Sequence, residues 1–141
     1  PARRRRFGVR RHFSITPWTD RVEVHWGDRR EAYVTPVGGR LVGVALLWSG
    51  AAATFDDLIT GFPRLCSRLE NAPVASKDRG AGPLEQRCRS VVNGNLALVG
   101  DASGYLDAIT GEGVALSFRQ AVALVEDEVG PLPEGAVTPA I

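Results

Sequence analysis

Up to about residue 48 the chain alternates apolar and polar positions with period two. Phe7, Val9, Phe13 and Ile15 stand between Gly8, Arg10, His12 and Ser14, and Val22, Val24 and Trp26 between Arg21, Glu23 and His25. Such alternation marks strands with one buried face. Thr16-Pro17-Trp18-Thr19-Asp20 reads as a turn or crossing, because Pro17 has no N–H to give a ladder. Gly27-Asp28 begins a second turn, leading into residues 31–35. Gly38-Gly39 reads as a two-residue hairpin loop, since both central positions accept positive φ. Residues 40–48 return as a more fully apolar strand. Four successive strands predict an antiparallel meander.

After Ser49-Gly50 the period changes. Phe55-Asp56-Asp57-Leu58-Ile59, continuing through Leu65 and Leu69, fits one or two short amphipathic helices. Thr54 suits the N-cap, Asp56 and Asp57 suit the first turn, and Pro63 breaks or restarts the helix. A glycine-containing connection then leads to the apolar run 96–99, which suits a strand buried on both faces. Gly100 and Asp101 end that run. Val114, Phe118, Ala121, Val122 and Val125 recur at helical spacing, predicting an amphipathic helix buried along that stripe. Gly130-Pro131-Leu132-Pro133 stops it, and the rest is expected to be a disordered tail. The predicted divisions are 1–50, an antiparallel sheet; 51–92, helical and connecting; 93–130, strand, loop and helix; and 131–141, the tail. The fold class expected is α+β.

Seventeen Lys and Arg against sixteen Asp and Glu leave a net charge of +1, so no bulk attraction to nucleic acid or membrane is expected. No apolar run approaches the roughly 18 residues of a transmembrane helix. Cys66 and Cys88 are isolated from each other and from His, which predicts two free thiols and no metal site. The arginine run at residues 3–6, with Arg10 and Arg11, could contact phosphates, but without interleaved aromatics it reads as a solvated terminus. The basic N-terminus is not followed by an apolar segment, so the cytoplasm is the expected compartment.

The chemistry concentrates around Asp101. A strand's carboxyl end is where ligands bind in open α/β sheets. A helix N-terminus offers unpaired N–H groups and about half a positive charge, favouring an anion or an electron-rich carbonyl. Gly111 and Gly113 would let a flat ring approach the backbone, and an ionised Asp101 would accept from hydroxyls. Hydroxyls at one end and an electron-rich ring at the other describe a flavin better than a bare phosphate. The same spacing also describes an ordinary βα unit with Gly100 and Gly111 as turn residues. No Ser/His/Asp, paired-carboxylate or metal constellation is legible, so any catalysis would be carried by a cofactor.

Gly100-Asp101-Ala102-Ser103-Gly104, followed by Thr110-Gly111-Glu112-Gly113, resembles the second flavin motif of the FAD-dependent monooxygenase and geranylgeranyl reductase superfamily. That superfamily includes aromatic hydroxylases and flavin halogenases and has the FAD-binding fold of para-hydroxybenzoate hydroxylase. The resemblance implies FAD, bound by Gly100, Asp101, Ala102, Gly111, Glu112, Gly113 and Val114. Asp101 would take the ribityl chain, and the N–H groups near Gly113 and Val114 the pyrimidine edge of the isoalloxazine. The family usually has proline near Ala108, where Asp107-Ala108 stands here. Thr-Gly-Glu-Gly leans toward the reductase-like branch. Ser103-Gly104 stands where aromatic hydroxylases more often carry histidine.

His12-Phe13, Pro17-Trp18-Thr19-Asp20, Val22-Glu23-Val24 and residues 31–38 resemble the same superfamily's substrate-domain sheet, the floor and wall of the pocket beneath the flavin. His12, His25, Trp26 and Tyr33 are the substrate-contact candidates, although a lone His on a strand is more often a satisfied or exposed side chain. The implied function is an FAD-dependent oxidoreductase, of monooxygenase or geranylgeranyl reductase type. It would act on an apolar organic substrate, with NAD(P)H a candidate electron donor. The resemblance covers residues 7–126 and only the superfamily's second half, and no Gly-x-Gly-x-x-Gly turn is present. The chain is therefore expected to be a C-terminal half, marginally stable and inactive without a dinucleotide-binding partner. A reading from another class is a non-enzymatic module whose sheet binds an apolar ligand or a protein.

Overall fold

The structure, a computed structural model, describes residues 5–105 and 112–129, which fall into two units, Pro1–Leu84 and Glu85–Ile141. In the first unit the alternating segments form β1 (Arg6–Phe13), β2 (Glu23–Gly27), β3 (Arg30–Gly38) and β4 (Leu41–Ser49), joined by a short β5 (Arg79–Ala81). The antiparallel sheet has the order β2-β3-β4-β1-β5. The hairpin at Gly38-Gly39 forms with positive φ at both glycines.

The expected four-strand meander holds only for β2, β3 and β4. β1 lies on the far side of β4, in register from Arg6 opposite Ser49 to Phe13 opposite Val42. The reason is burial: Val42, Val44 and Leu46 make β4 the most apolar strand, and its ladder is covered only if strands flank it on both sides.

One face of the sheet carries α1 (Phe55–Ile59) and α2 (Pro63–Leu69). Thr54 and Asp57 form a reciprocal capping box, in which the Asp57 N–H donates to the Thr54 hydroxyl at 3.2 Å and the Thr54 N–H to the Asp57 carboxylate at 3.0 Å. Pro63 stands in the first turn of α2, where its missing N–H costs nothing. Phe55, Leu58, Phe62, Leu65 and Leu69 pack against Phe13, Ala32, Val34, Val42, Val44 and Leu46.

Arg11 occupies the same face. Its guanidinium lies 4.2 Å over the Phe55 ring and donates to Asp56 and Asp78, each at 2.6 Å. These two carboxylates raise the Arg11 pKa above its ordinary value, and Arg11 holds the Asp78 carboxyl below the usual carboxylate range.

On β2 the expected parity is inverted. Val24 and Trp26, read as the buried set, are 41% and 66% exposed. His25 and Glu23 instead share the helix-covered side: the His25 ring meets Phe62 edge-on at 6.4 Å, and the Trp18 N–H donates to Glu23 at 2.9 Å. β2 is an edge strand, and the layer above it is polar-tolerant, with Arg68 stacked 4.8 Å over Trp18 and 3.7 Å from Glu23.

In the second unit β6 (Val92–Asn93) and β7 (Leu96–Ala97) form a two-stranded antiparallel hairpin. A 3-10 turn spans Gly100–Ser103, Gln86 bridges Tyr105, and α3 runs from Gly113 to Val129. Two expectations fail here. The run 96–99 is no strand buried on both faces: β7 has two residues, and Leu96 is 63% exposed. Its only ladder partner among the described residues is β6, and Ala97, Leu98 and Val99 are half-buried, lining a cavity with Gln120, Ala123 and Leu124 of α3. The stripe of α3 is largely exposed too, with Val114 70%, Phe118 68% and Val125 41% exposed and only Ala121 and Val122 half-buried.

The half-buried side of α3 mixes small, polar and apolar residues: Gly113, Ser117, Gln120, Ala121 and Val122. Gln120 accepts the Gly100 N–H at 2.6 Å, and Ser117 lies against Gly100. Among the described residues no helix is long and apolar enough to cross a membrane, no group of His, Cys, Asp or Glu could hold a metal, and Cys66 and Cys88 are free thiols. The expected tail and the segment around Asp107-Ala108, Thr110 and Gly111 lie outside the described residues.

Candidate functional site

The turn after β7 is fixed by its backbone. Gly100 has φ +62°, a left-handed conformation that glycine adopts freely, and a side chain there would collide with the Ser117 hydroxyl. The Ser103 hydroxyl donates to the Gly100 carbonyl at 2.7 Å, and the Gly104 N–H to the Asp101 carbonyl at 3.3 Å. Ser117 in turn donates to the Gly113 carbonyl at 2.8 Å. The turn and the start of α3 are each held by internal hydrogen bonds, and the Gly100 N–H, donating to Gln120 at 2.6 Å, joins the turn to the helix.

Asp101 stands at the start of α3. Its Oδ1 lies 3.5 Å from where a Cβ on Gly113 would stand. Asp101, Ala102, Glu112 and Val114 are all exposed around this point, and Gly113 is half-buried. A carboxylate there complements the positive end of the helix dipole, beside the orphan N–H groups of the first turn. The pair can accept hydroxyls at the carboxylate and hold an electron-rich carbonyl or anion at the helix start. Gly111 lies outside the described residues.

Sequence reasoning missed three supports of this turn: Gln120, Ser117 and the exposed Cys88, whose thiol donates to the Ala102 carbonyl at 2.8 Å. Gln120 carried one usable signal, an amide seven residues after Gly113, two helical turns on and so on the same side of α3.

The first unit presents a second polar surface, the sheet face opposite α1 and α2. Strand register lines up Arg79, Arg10, Ala45, Tyr33 and Val24 in one row across all five strands. Gly8, Leu47, Glu31 and Trp26 form the next row, and His12, Gly43 and Thr35 a third. Gly8, Gly43 and Ala45 give this face a low floor between taller polar walls. Glu31, only 8% exposed, accepts from Arg6 at 2.8 Å and from the Tyr33 hydroxyl at 3.1 Å.

Arg10 approaches His12 Nδ1 at 3.2 Å. The Ser76 hydroxyl lies 3.1 Å from the same Nδ1. The His12 Nε2 lies 3.4 Å from where a Cβ on Gly43 would stand. His12, Trp26 and Tyr33 therefore share this face. His25 does not: it is opposite Ala32 in a core row, and a one-residue offset along a strand reverses the face.

A five-stranded antiparallel sheet with helices on one face, then a hairpin, a Gly-Asp turn and a helix, defines an α+β arrangement that recurs in solved flavin-dependent enzymes. The chain is similar to CmlS, a flavin-dependent halogenase (18% identity, 88% of this chain and 25% of that one, TM-score 0.74). It is also similar to the myxobacterial chondrochloren halogenase CndH, described as a variant of FAD-dependent halogenases (17% identity, 92% and 35%, TM-score 0.76). A flavoprotein/dehydrogenase from Cytophaga hutchinsonii shares the fold too (14% identity, 90% and 36%, TM-score 0.73). The chain spans about a quarter to two fifths of the length of the solved structures it matches. Neither a protein-family profile nor a curated protein sequence matches it.

Proposed function

We propose that this chain is part of an FAD-dependent oxidoreductase, contributing the substrate-side sheet and one flavin-binding turn. The observation that carries the reading is the Asp101 carboxylate set beside the start of α3, with no Cβ between them at Gly113. These residues fit a flavin. Asp101 would hold ribityl hydroxyls, and the backbone around Gly113 and Val114 would receive the pyrimidine edge. Gly100, Ala102, Gly111 and Glu112 would shape the turn about it. FAD, when bound, supplies the redox chemistry.

The chain's own residues orient the flavin and present a substrate on the sheet face bearing His12, Trp26, Tyr33 and Glu31. The exposure of Val24 and Trp26 on that face supports this use, because departures from local burial rules concentrate at functional sites. His25, on the covered face, is not part of this wall. An enzyme of this class also needs a dinucleotide-binding half. The halogenase and dehydrogenase names among the neighbours support the cofactor class and leave several reactions open to it.

The test is the absorbance spectrum of the purified chain in the flavin bands, before and after adding excess FAD. A spectrum perturbed on binding, with affinity falling in Asp101→Ala, supports the reading. A hydrogen bond to a charged group contributes about 1.5–3 kcal/mol, hence a loss of roughly ten- to a hundredfold. An unperturbed spectrum at all FAD concentrations overturns it for this chain. The non-enzymatic alternative, a sheet that binds a ligand or protein, predicts no effect of Asp101→Ala on any binding.

A further inference from the structure

The geometry points to an oxyanion-binding subsite at the β1–β5 edge of the open sheet face, built by Arg10 and Arg79. This inference rests on the reading of that face as a ligand wall. The two residues are direct cross-strand partners, so their side chains leave the same face side by side. Like charges directly opposite one another in a sheet are destabilising. Among the described residues, neither arginine forms an ion pair with a carboxylate. The neighbouring Arg11 shows the contrast, since its guanidinium is neutralised by Asp56 and Asp78. Those two acids serve the opposite face, and Glu31 on this face is held by Arg6 and Tyr33.

Two further groups shape the subsite. Ser76 accepts the His12 N–H at 3.0 Å and lies 3.1 Å from His12 Nδ1, which fixes the imidazole. Its Nε2 edge lies over Gly43, and its Nδ1 edge faces Arg10. A carboxylate or phosphate would meet the two guanidinium groups, and the planar body of its carrier would lie on the low floor of Gly8 and Ala45, beside the His12 ring. The ligand class is thus an organic molecule with an oxyanion at one end. This refines the apolar substrate expected from resemblance.

The test uses the full chain, titrated with benzoate, phenyl phosphate and neutral benzamide, and read by calorimetry and by the fluorescence of Trp26 on the same face. Saturable binding of benzoate or phenyl phosphate but not benzamide is expected, and the tighter of the two identifies the oxyanion. Arg10→Ala and Arg79→Ala should each weaken it at least tenfold, with unchanged far-ultraviolet circular dichroism. Arg10→Gln and Arg79→Gln serve if either alanine variant misfolds. Arg21→Ala, in the exposed loop before β2, should leave binding intact. The inference is overturned if neither anion binds saturably, if benzamide binds as well, if both arginine variants bind normally, or if Arg21→Ala weakens binding equally. FAD titration of the same proteins separates the two readings: oxyanion binding lost with FAD binding retained concerns the subsite alone, and a chain that binds oxyanion but never FAD fails the flavin reading alone.

Discussion

The two units use apolar side chains in opposite ways. In the first, Phe55, Leu65, Leu46 and Val44 are essentially inaccessible, and the sheet and helices enclose them with groups of their own. In the second, Gly100 is the only buried position among the described residues, and the turn meets α3 through the Gly100–Gln120 hydrogen bond and the close approach of Ser117 to Gly100. The first unit is stabilised by burial. The second holds a geometry, the approach of Asp101 to Gly113, while most of its apolar area is exposed. A structure that positions ligand groups needs few buried atoms of its own if something else covers it.

The sharpest way to break this comparison is in the first core. Phe55→Ala removes a ring that is 1% exposed and contacts Phe13 at 5.9 Å between centroids. The expected loss is about 3–5 kcal/mol, as for other large-to-small core changes. All three tryptophans, Trp18, Trp26 and Trp48, lie in this unit, so urea unfolding followed by tryptophan fluorescence reads it directly. Next is Gly100→Ala in the second unit. The left-handed backbone costs about 1–3 kcal/mol for a residue with a side chain, and the added methyl displaces Ser117. Amide hydrogen exchange in α3 should accelerate while the tryptophan transition stays in place. A shift of both together would show the units to be one cooperative block.

Much of the first unit was legible because period two is physically forced wherever a strand has one covered face. Residues 7–48 yielded their strands and the glycine hairpin for that reason. Alternation says nothing about neighbours, so β1 beside β4 could not be read, nor could the short β5. It also names a face without saying which side is covered, and on β2 Val24 and Trp26 turned outward while His25 and Glu23 turned in. Arg11 broke the pattern, because two acids distant in sequence, Asp56 and Asp78, make a charge tolerable in an apolar row.

Around the candidate site, Gly100, Asp101 and Gly113 were legible because glycines punctuate backbone and Asp is a distinctive acceptor. Gln120 and Ser117 were not, since a polar residue on a helix reads first as solvent-facing. The apolar stripe of α3 was legible as a stripe, but its burial is a property of whatever covers it and not of the helix.

Acid should strike the first unit through its carboxylates. Asp78, held by Arg11, and Asp57, held by the Thr54 hydroxyl and N–H, both have pKa values depressed from about 3.8. For a group depressed on folding, the unfolded chain binds protons first as pH falls. The stabilisation is complete above the ordinary carboxylate value and disappears as pH drops through the lower folded value. The urea midpoint should therefore be flat near neutrality and decline below about pH 4. Asp78→Asn should lower the neutral-pH plateau and flatten the decline. If that variant retained the full acid dependence, the Arg11 pair would not be its source.

The smallest expected effect sharpens the comparison most. Phe118→Ala deletes the same ring as Phe55→Ala, but from a position 68% exposed on α3. If that face is open in the isolated chain, stability should change by no more than about 0.5 kcal/mol, as at other surface sites. Self-association should fall, because a contiguous exposed apolar patch is what drives it. Size-exclusion chromatography over a concentration series reads the second effect, and urea unfolding with hydrogen exchange in α3 reads the first. A loss comparable to that of Phe55→Ala, independent of protein concentration, would mean that the ring is covered within the monomer, and the contrast between a self-sufficient unit and an uncovered one would collapse. A loss that appears only at high concentration would instead place the cover in a second copy. Identical chemistry at the two positions makes burial the only variable, so the ratio of the two effects measures how far each unit supplies its own interior.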